Sequence, residues 1–367
     1  MISRKKRIGN LIFRLTIILF TIVLLFYFFW RLRKDYDIVD IKTILSNSNY
    51  LLLLVALFLM LLSLIIKSYR YYILVKHSTP TMSFLSFIPP FLIGYGFSIL
   101  GPFKTGEVVS IEINKQTRSI PRTTSIAALA IFRIFDLLIT IAFFAVAFLT
   151  TIPKITAARY HVVLSLTFIV SLGGALFLSI VLFFPPIGRI IIKITAKLLG
   201  IFSITAKNWA ENNLSKALSK YYNSLTLIRK QKLLSVLVFI LTLTRWLLEF
   251  FAFKLTLCAF KININFIDVI SLSTITLFVG LLSLTPAGLG SGTLTSQALL
   301  EAMKADPLAA ATAIVYQSLI SQGLCISLAL VSSIFIKRTK MDEKRNRNTK
   351  ELSPSKESNL FPRTPNR

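Results

Sequence analysis

The chain has 367 residues, 54% of them apolar, a mean hydropathy of +0.72 and a formal charge of +27. That composition excludes a set of soluble globular domains and makes lipid the solvent for most of the protein. The charge does not indicate nucleic acid, because the basic residues flank apolar runs and do not interleave with polar helices. Cys258, Cys325, His77 and His161 have no metal or disulfide spacing, so no metal and no cofactor is expected.

In chain order, Arg4 to Arg7 precede an apolar run from Leu11 to Trp30. The run is long enough to cross the ~30 Å hydrocarbon layer and lacks a small-residue cleavage site, which predicts an uncleaved anchor. Further spans are expected at Tyr50 to Ile66, Thr124 to Leu149, Val162 to Phe184, Leu233 to Phe260 and Leu308 to Ile336. Two other apolar segments are broken. Ser83 to Lys115 contains Pro89-Pro90, Gly94, Gly96 and Gly101-Pro102, and Phe266 to Met303 contains Pro286, Gly288, Gly290 and Gly292. The arm after each Pro/Gly tip, about Lys104 to Lys115 or Thr293 to Met303, reaches only ~16 to 18 Å at 1.5 Å per residue. Two re-entrant hairpins are therefore predicted.

The fold class is all-α and polytopic: about six full spans plus two re-entrant hairpins, with eight full spans as the alternative. Basic stretches at Arg4 to Arg7, Arg189 to Lys232 and Lys337 to Arg347 should all be cytoplasmic, so both termini lie on that side of an inner membrane. Span, hairpin and span recur at about residues 50–150 and 233–336 as an inverted repeat, joined by a basic linker over 185–232. The membrane region ends near residue 336, and the basic tail over 337–367 is expected to be disordered. Inverted repeats often hold a binding site between their halves.

Ions within the spans are costly and mark candidate sites. Arg133 and Asp136 stand three apart, and Arg245 and Glu249 four apart, so each pair can share a helix face and neutralise itself. Arg189, Lys193 and Lys197 recur every four residues among Ile and Leu, which predicts a basic stripe on a membrane-surface helix facing anionic lipid. Gly94-Tyr95-Gly96 is too short a match to indicate a channel filter.

Gly101-Pro102-Phe103-Lys104-Thr105-Gly106-Glu107, followed by Arg133 and Asp136 and then Leu284-Thr285-Pro286-Ala287-Gly288-Leu289-Gly290, resembles the transmembrane region of lysylphosphatidylglycerol synthases and their flippase-like relatives. The resemblance implies a domain that moves a lipid headgroup between leaflets. The tail has no room for the soluble aminoacyltransferase domain of the full synthases, so lipid aminoacylation is not expected. Lys104, Gly106, Glu107, Arg133, Asp136, Arg245, Glu249, Pro286, Gly288 and Gly290 are the residues expected along a translocation path. Helix N-termini at the hairpin tips would favour a phosphate. A membrane enzyme and a non-catalytic partner of a glycosyltransferase or cell-envelope enzyme are the competing readings.

Overall fold

A computed structural model describes residues 43–76, 82–100, 106–118, 120–150, 184–204, 214–229, 231–282 and 291–352, with a few single positions between them. Every extended element among these residues is a helix. In chain order they are α1 (Tyr50–Lys76), α2 (Phe84–Leu100), α3 (Gly106–Arg118), α4 (Arg122–Thr150), α5 (Pro185–Phe202), α6 (Ser215–Arg229), α7 (Lys232–Ala259), α8 (Phe266–Leu282), α9 (Ser291–Ala302) and α10 (Pro307–Leu352). Helices α1, α4, α7 and the apolar part of α10 are each long and apolar enough to cross a membrane. The anchor at Leu11 to Trp30 and most of the run from Val162 to Phe184 lie outside the described residues.

Local chemistry sets the helix ends. The Asn49 side-chain oxygen accepts from the Leu51 and Leu52 amides, capping α1. Asp306 caps α10 by accepting from the Ala309 amide, with Pro307 at the first helical position, where a missing N–H costs nothing. At its other end α10 runs on to Leu352, beyond the expected start of a disordered tail at residue 337. Lys, Glu and Arg are good helix formers, so the charged sequence after Ile336 extends the helix although it cannot form a core.

The two broken segments form pairs of short helices, α2 with α3 and α8 with α9, packed against one another. At 1.5 Å per residue each is about 18 to 26 Å long, short of the hydrocarbon thickness. Pro89 and Pro90 do not interrupt α2, although the sequence pattern suggested a break there. Pro90 cannot donate to the Ser86 carbonyl, and Arg118 Nε donates to that oxygen instead at 3.1 Å. The end of α3 is thereby tied to the start of α2. Close by, Arg122 donates to both oxygens of Glu112 at 2.8 and 2.9 Å. Hydrogen bonds from Arg122 and Gln116 hold the Glu112 carboxyl below its usual range, so this clamp persists at neutral pH and is lost as pH falls through the lowered value.

The contacts between the two parts of the chain are reciprocal. α1 and α7 share the most extensive interface and run antiparallel: the Asn49 amide meets the Ala259 carbonyl at 3.1 Å, and Ser63 meets Glu249 farther along. Each hairpin packs on the last span of the other half, α2 on α10 and α8 on α4. Close approach needs glycine at these contacts. A Cβ on Gly96 would sit 2.4 Å from Ala329 Cβ on α10, and one on Gly106 would sit 2.0 Å from the Ser98 amide nitrogen and 2.2 Å from the Gly94 carbonyl. Gly94-Tyr95-Gly96 is thus a helix-packing motif.

Gly106→Ala should lower the thermal unfolding midpoint in detergent by the equivalent of at least 1 to 3 kcal/mol, because the colliding atoms are backbone. Gly323→Ala, whose added methyl meets nothing within 4 Å, should leave the midpoint level or raise it.

Candidate functional site

Polar residues at helical spacing put one polar stripe on each of the central helices. On α1 it is Ser63, Lys67 and Arg70; on α4 it is Asp136 and Thr140; on α7 it is Thr242, Arg245 and Glu249. Spacings of three and four residues place each set on a single face. The three faces converge where Ser63, Asp136 and Arg245 lie, each near the middle of its helix.

Asp136 is the centre of this cluster. Its Oδ1 accepts from Arg70 Nη1 at 2.9 Å and from Arg245 Nη1 at 3.0 Å. Arg245 also donates from Nη2 to Glu249 Oε2 at 2.5 Å, and the Ser63 hydroxyl donates to Glu249 Oε1 at 2.9 Å. The guanidinium of Arg70 lies 3.9 Å from the Phe132 ring and that of Arg245 lies 3.9 Å from the Trp246 ring. Their faces are covered by aromatic groups that favour a cation. Lys67 donates to the Tyr95 hydroxyl at 2.8 Å, which brings the α2 hairpin arm against the cluster.

Charge is unevenly distributed in this group. Lys67, Arg70 and Arg245 face two carboxylates, Asp136 and Glu249, and Lys67 has a neutral phenol as its hydrogen-bond acceptor. Arg70 Nε, Arg70 Nη2 and Arg245 Nε are buried without a hydrogen-bond partner among the described residues. A buried charged donor left unpaired costs more than the ~1 to 3 kcal/mol typical of a neutral group. The arrangement suits an anionic oxygen ligand.

The expected Arg245–Glu249 pair is present, but the expected pairing of Arg133 with Asp136 is corrected. Asp136 takes its ion-pair partners from α1 and α7, which converge on it across the bundle, whereas Arg133 one turn earlier is half-buried on α4 and acts on Asp136 electrostatically. Gly106 begins α3 and serves packing. Glu107 lies in the first turn of α3. Lys104, Pro286, Gly288 and Gly290 lie outside the described residues. Arg189, Lys193 and Lys197 are exposed on α5, away from the cluster.

Lys67, Arg70, Ser63 and Tyr95 were not anticipated as site residues. In the sequence the apolar run ends at Ile66, since Lys67 is the first charge after it, yet α1 continues to Lys76. The spacing of Ser63, Lys67 and Arg70 was the available signal.

The helices define a polytopic all-α membrane protein with two short-helix hairpins around a buried ion cluster. Residues 12–328 match the family described as the lysylphosphatidylglycerol synthase TM region, and the chain belongs to that family. It is also similar to a UPF0104 membrane protein of Methanocaldococcus jannaschii, 22% identical over 330 residues that cover 88% of this chain and 96% of the relative. No solved structure matches the chain.

Asp136→Asn should destabilise the protein by about 3 to 5 kcal/mol, because two buried arginines lose their shared counter-charge. Glu249→Gln should cost less, since the Glu249 side chain is 35% exposed against 10% for Asp136. Thermal unfolding of the two purified variants in one detergent tests the order.

Proposed function

We propose that this protein is a lipid translocator that moves an anionic phospholipid or polyprenyl-linked glycolipid headgroup between the leaflets of the inner membrane, with both termini cytoplasmic. The observation that carries this reading is the ion cluster at the middle of the spans, where Lys67, Arg70 and Arg245 meet two carboxylates and arginine N–H groups have no hydrogen-bond partner among the described residues. A charged group at the bilayer centre costs roughly 2.5 to 3.5 kcal/mol on insertion scales, so a purely structural cluster gains nothing from a surplus cation. A phosphate supplies the missing negative charge and accepts bidentate arginine hydrogen bonds.

In this mechanism Lys67 and the buried, unpartnered N–H groups of Arg70 attract the phosphate, while Asp136 and Glu249 hold the guanidiniums in place and keep them from binding it irreversibly. Tyr95 links the site to the hairpin, so a phosphate bound at Lys67 competes with the Tyr95 hydroxyl for the ammonium and loosens the hold of α1 on α2. Membership of a family described by its lysylphosphatidylglycerol synthase membrane region supports a lipid substrate.

Lys67→Met should slow movement of a fluorescent anionic phospholipid at least tenfold in reconstituted vesicles read by dithionite quenching, and Lys67→Arg should retain most of it. Unchanged movement in a well-folded Lys67→Met protein would exclude the cluster from the path and favour the reading of a non-catalytic membrane partner.

A further inference from the structure

The connection between the two halves, α5 and α6, is not used by the translocation path. Helix α5 turns three different faces to its surroundings. Gly188 and Ala196 are buried, and Gly188 lies so close to α6 that a Cβ there would be 2.3 Å from the Tyr222 hydroxyl. That hydroxyl donates to the Phe184 carbonyl at 3.2 Å, which fixes the start of α5 on α6. Next round the helix come Arg189, Lys193 and Lys197, all exposed. One residue further on, Ile190, Ile194 and Leu198 form a parallel apolar stripe that is also exposed, at 53%, 54% and 56%.

Water does not favour three aligned, half-exposed aliphatic side chains beside a basic row. A membrane surface does, because the apolar stripe can enter the acyl boundary while the basic row stays among headgroups. The position in the fold agrees. Tyr221, Tyr222 and Leu225 of α6 pack in the same core as Leu74 near the end of α1, Ala127 near the start of α4 and Val238 near the start of α7. At this end of the bundle the spans terminate in Lys76, Arg122 and Lys232, so it is the level at which the protein leaves the hydrocarbon.

We propose that α5 is a docking helix for anionic lipid headgroups, with Arg189, Lys193 and Lys197 reading the negative charge of one leaflet and Ile190, Ile194 and Leu198 inserting beneath it. The occupant is the leaflet surface itself, selected by charge complementarity. Recruitment of anionic lipid to this end of the bundle is independent of the translocation chemistry.

The test is depth-resolved spin labelling of the full chain in vesicles. A label is placed at Ile194→Cys in a Cys258→Ser/Cys325→Ser background, and its accessibility to oxygen and to a water-soluble nickel chelate is measured in phosphatidylglycerol-containing and in pure phosphatidylcholine vesicles. In the anionic vesicles the label should lie below the headgroups, and in the neutral vesicles it should move toward water. Each basic residue near a charged surface changes partitioning about fivefold, so the combined R189Q/K193Q/K197Q variant should weaken docking on the order of a hundredfold and abolish the difference between vesicles. Raising salt should reduce the difference in the unmodified helix. Equal depth in both lipids, unaffected by the triple variant, would overturn the proposal and leave a purely apolar anchor. A label shielded from both reagents in both vesicles would overturn it in favour of a protein contact. None of these readings depends on whether lipid movement is detected.

Discussion

One carboxylate at the centre of three spans holds the bundle together. Asp136 accepts from arginines on both α1 and α7, so α1, α4 and α7 cannot separate without stranding charge in a medium that does not solvate it. Hydrophobic matching does not provide this, because lipid tails are as apolar as the side chains they would replace. The aromatic rings over Arg70 and Arg245 complete the enclosure. The directional polar contacts make one arrangement of the central helices preferable to the many that apolar packing alone would allow.

The first hairpin is tied to that centre, and both hairpins complete the bundle. Their helices are too short to cross the bilayer, and they find partners in the opposite half: α2 against α10 and α8 against α4. Glycine provides the clearance at Gly96 and Gly106, and Lys67 ties Tyr95 on α2 to the ion cluster. The first hairpin is thus joined to the charged cluster through Lys67, which both donates to the Tyr95 hydroxyl and lies 4.1 Å from its ring.

Periodicity and length made the helical class, four of the spans and both hairpins legible in the sequence, because those features follow from the bilayer's thickness and the geometry of a helix. Pairing across helices was not legible. Asp136 has an arginine three residues earlier, and one-dimensional spacing favours that neighbour, while its ion-pair partners lie 66 residues before and 109 residues after it. The role of Lys67 was hidden because a first charge after an apolar run normally marks the membrane boundary. Pro89 and Pro90 read as a break because their effect on the backbone is local, whereas the donor that makes them tolerable, Arg118, comes from another helix.

The distribution of the cluster between the halves bears on how the chain is made. Arg70 and Asp136 both belong to the first half, and Arg245 carries Glu249 one turn away on its own helix. Each half therefore carries a guanidinium already matched to a carboxylate, while Lys67 adds a further basic group to the first half. The bond between Asp136 and Arg245 is an ionic link that must wait for the second half. That ordering makes it a checkpoint of assembly: until α7 arrives, the first half is inserted but not closed, and its hairpin has no final span of the other half to rest on.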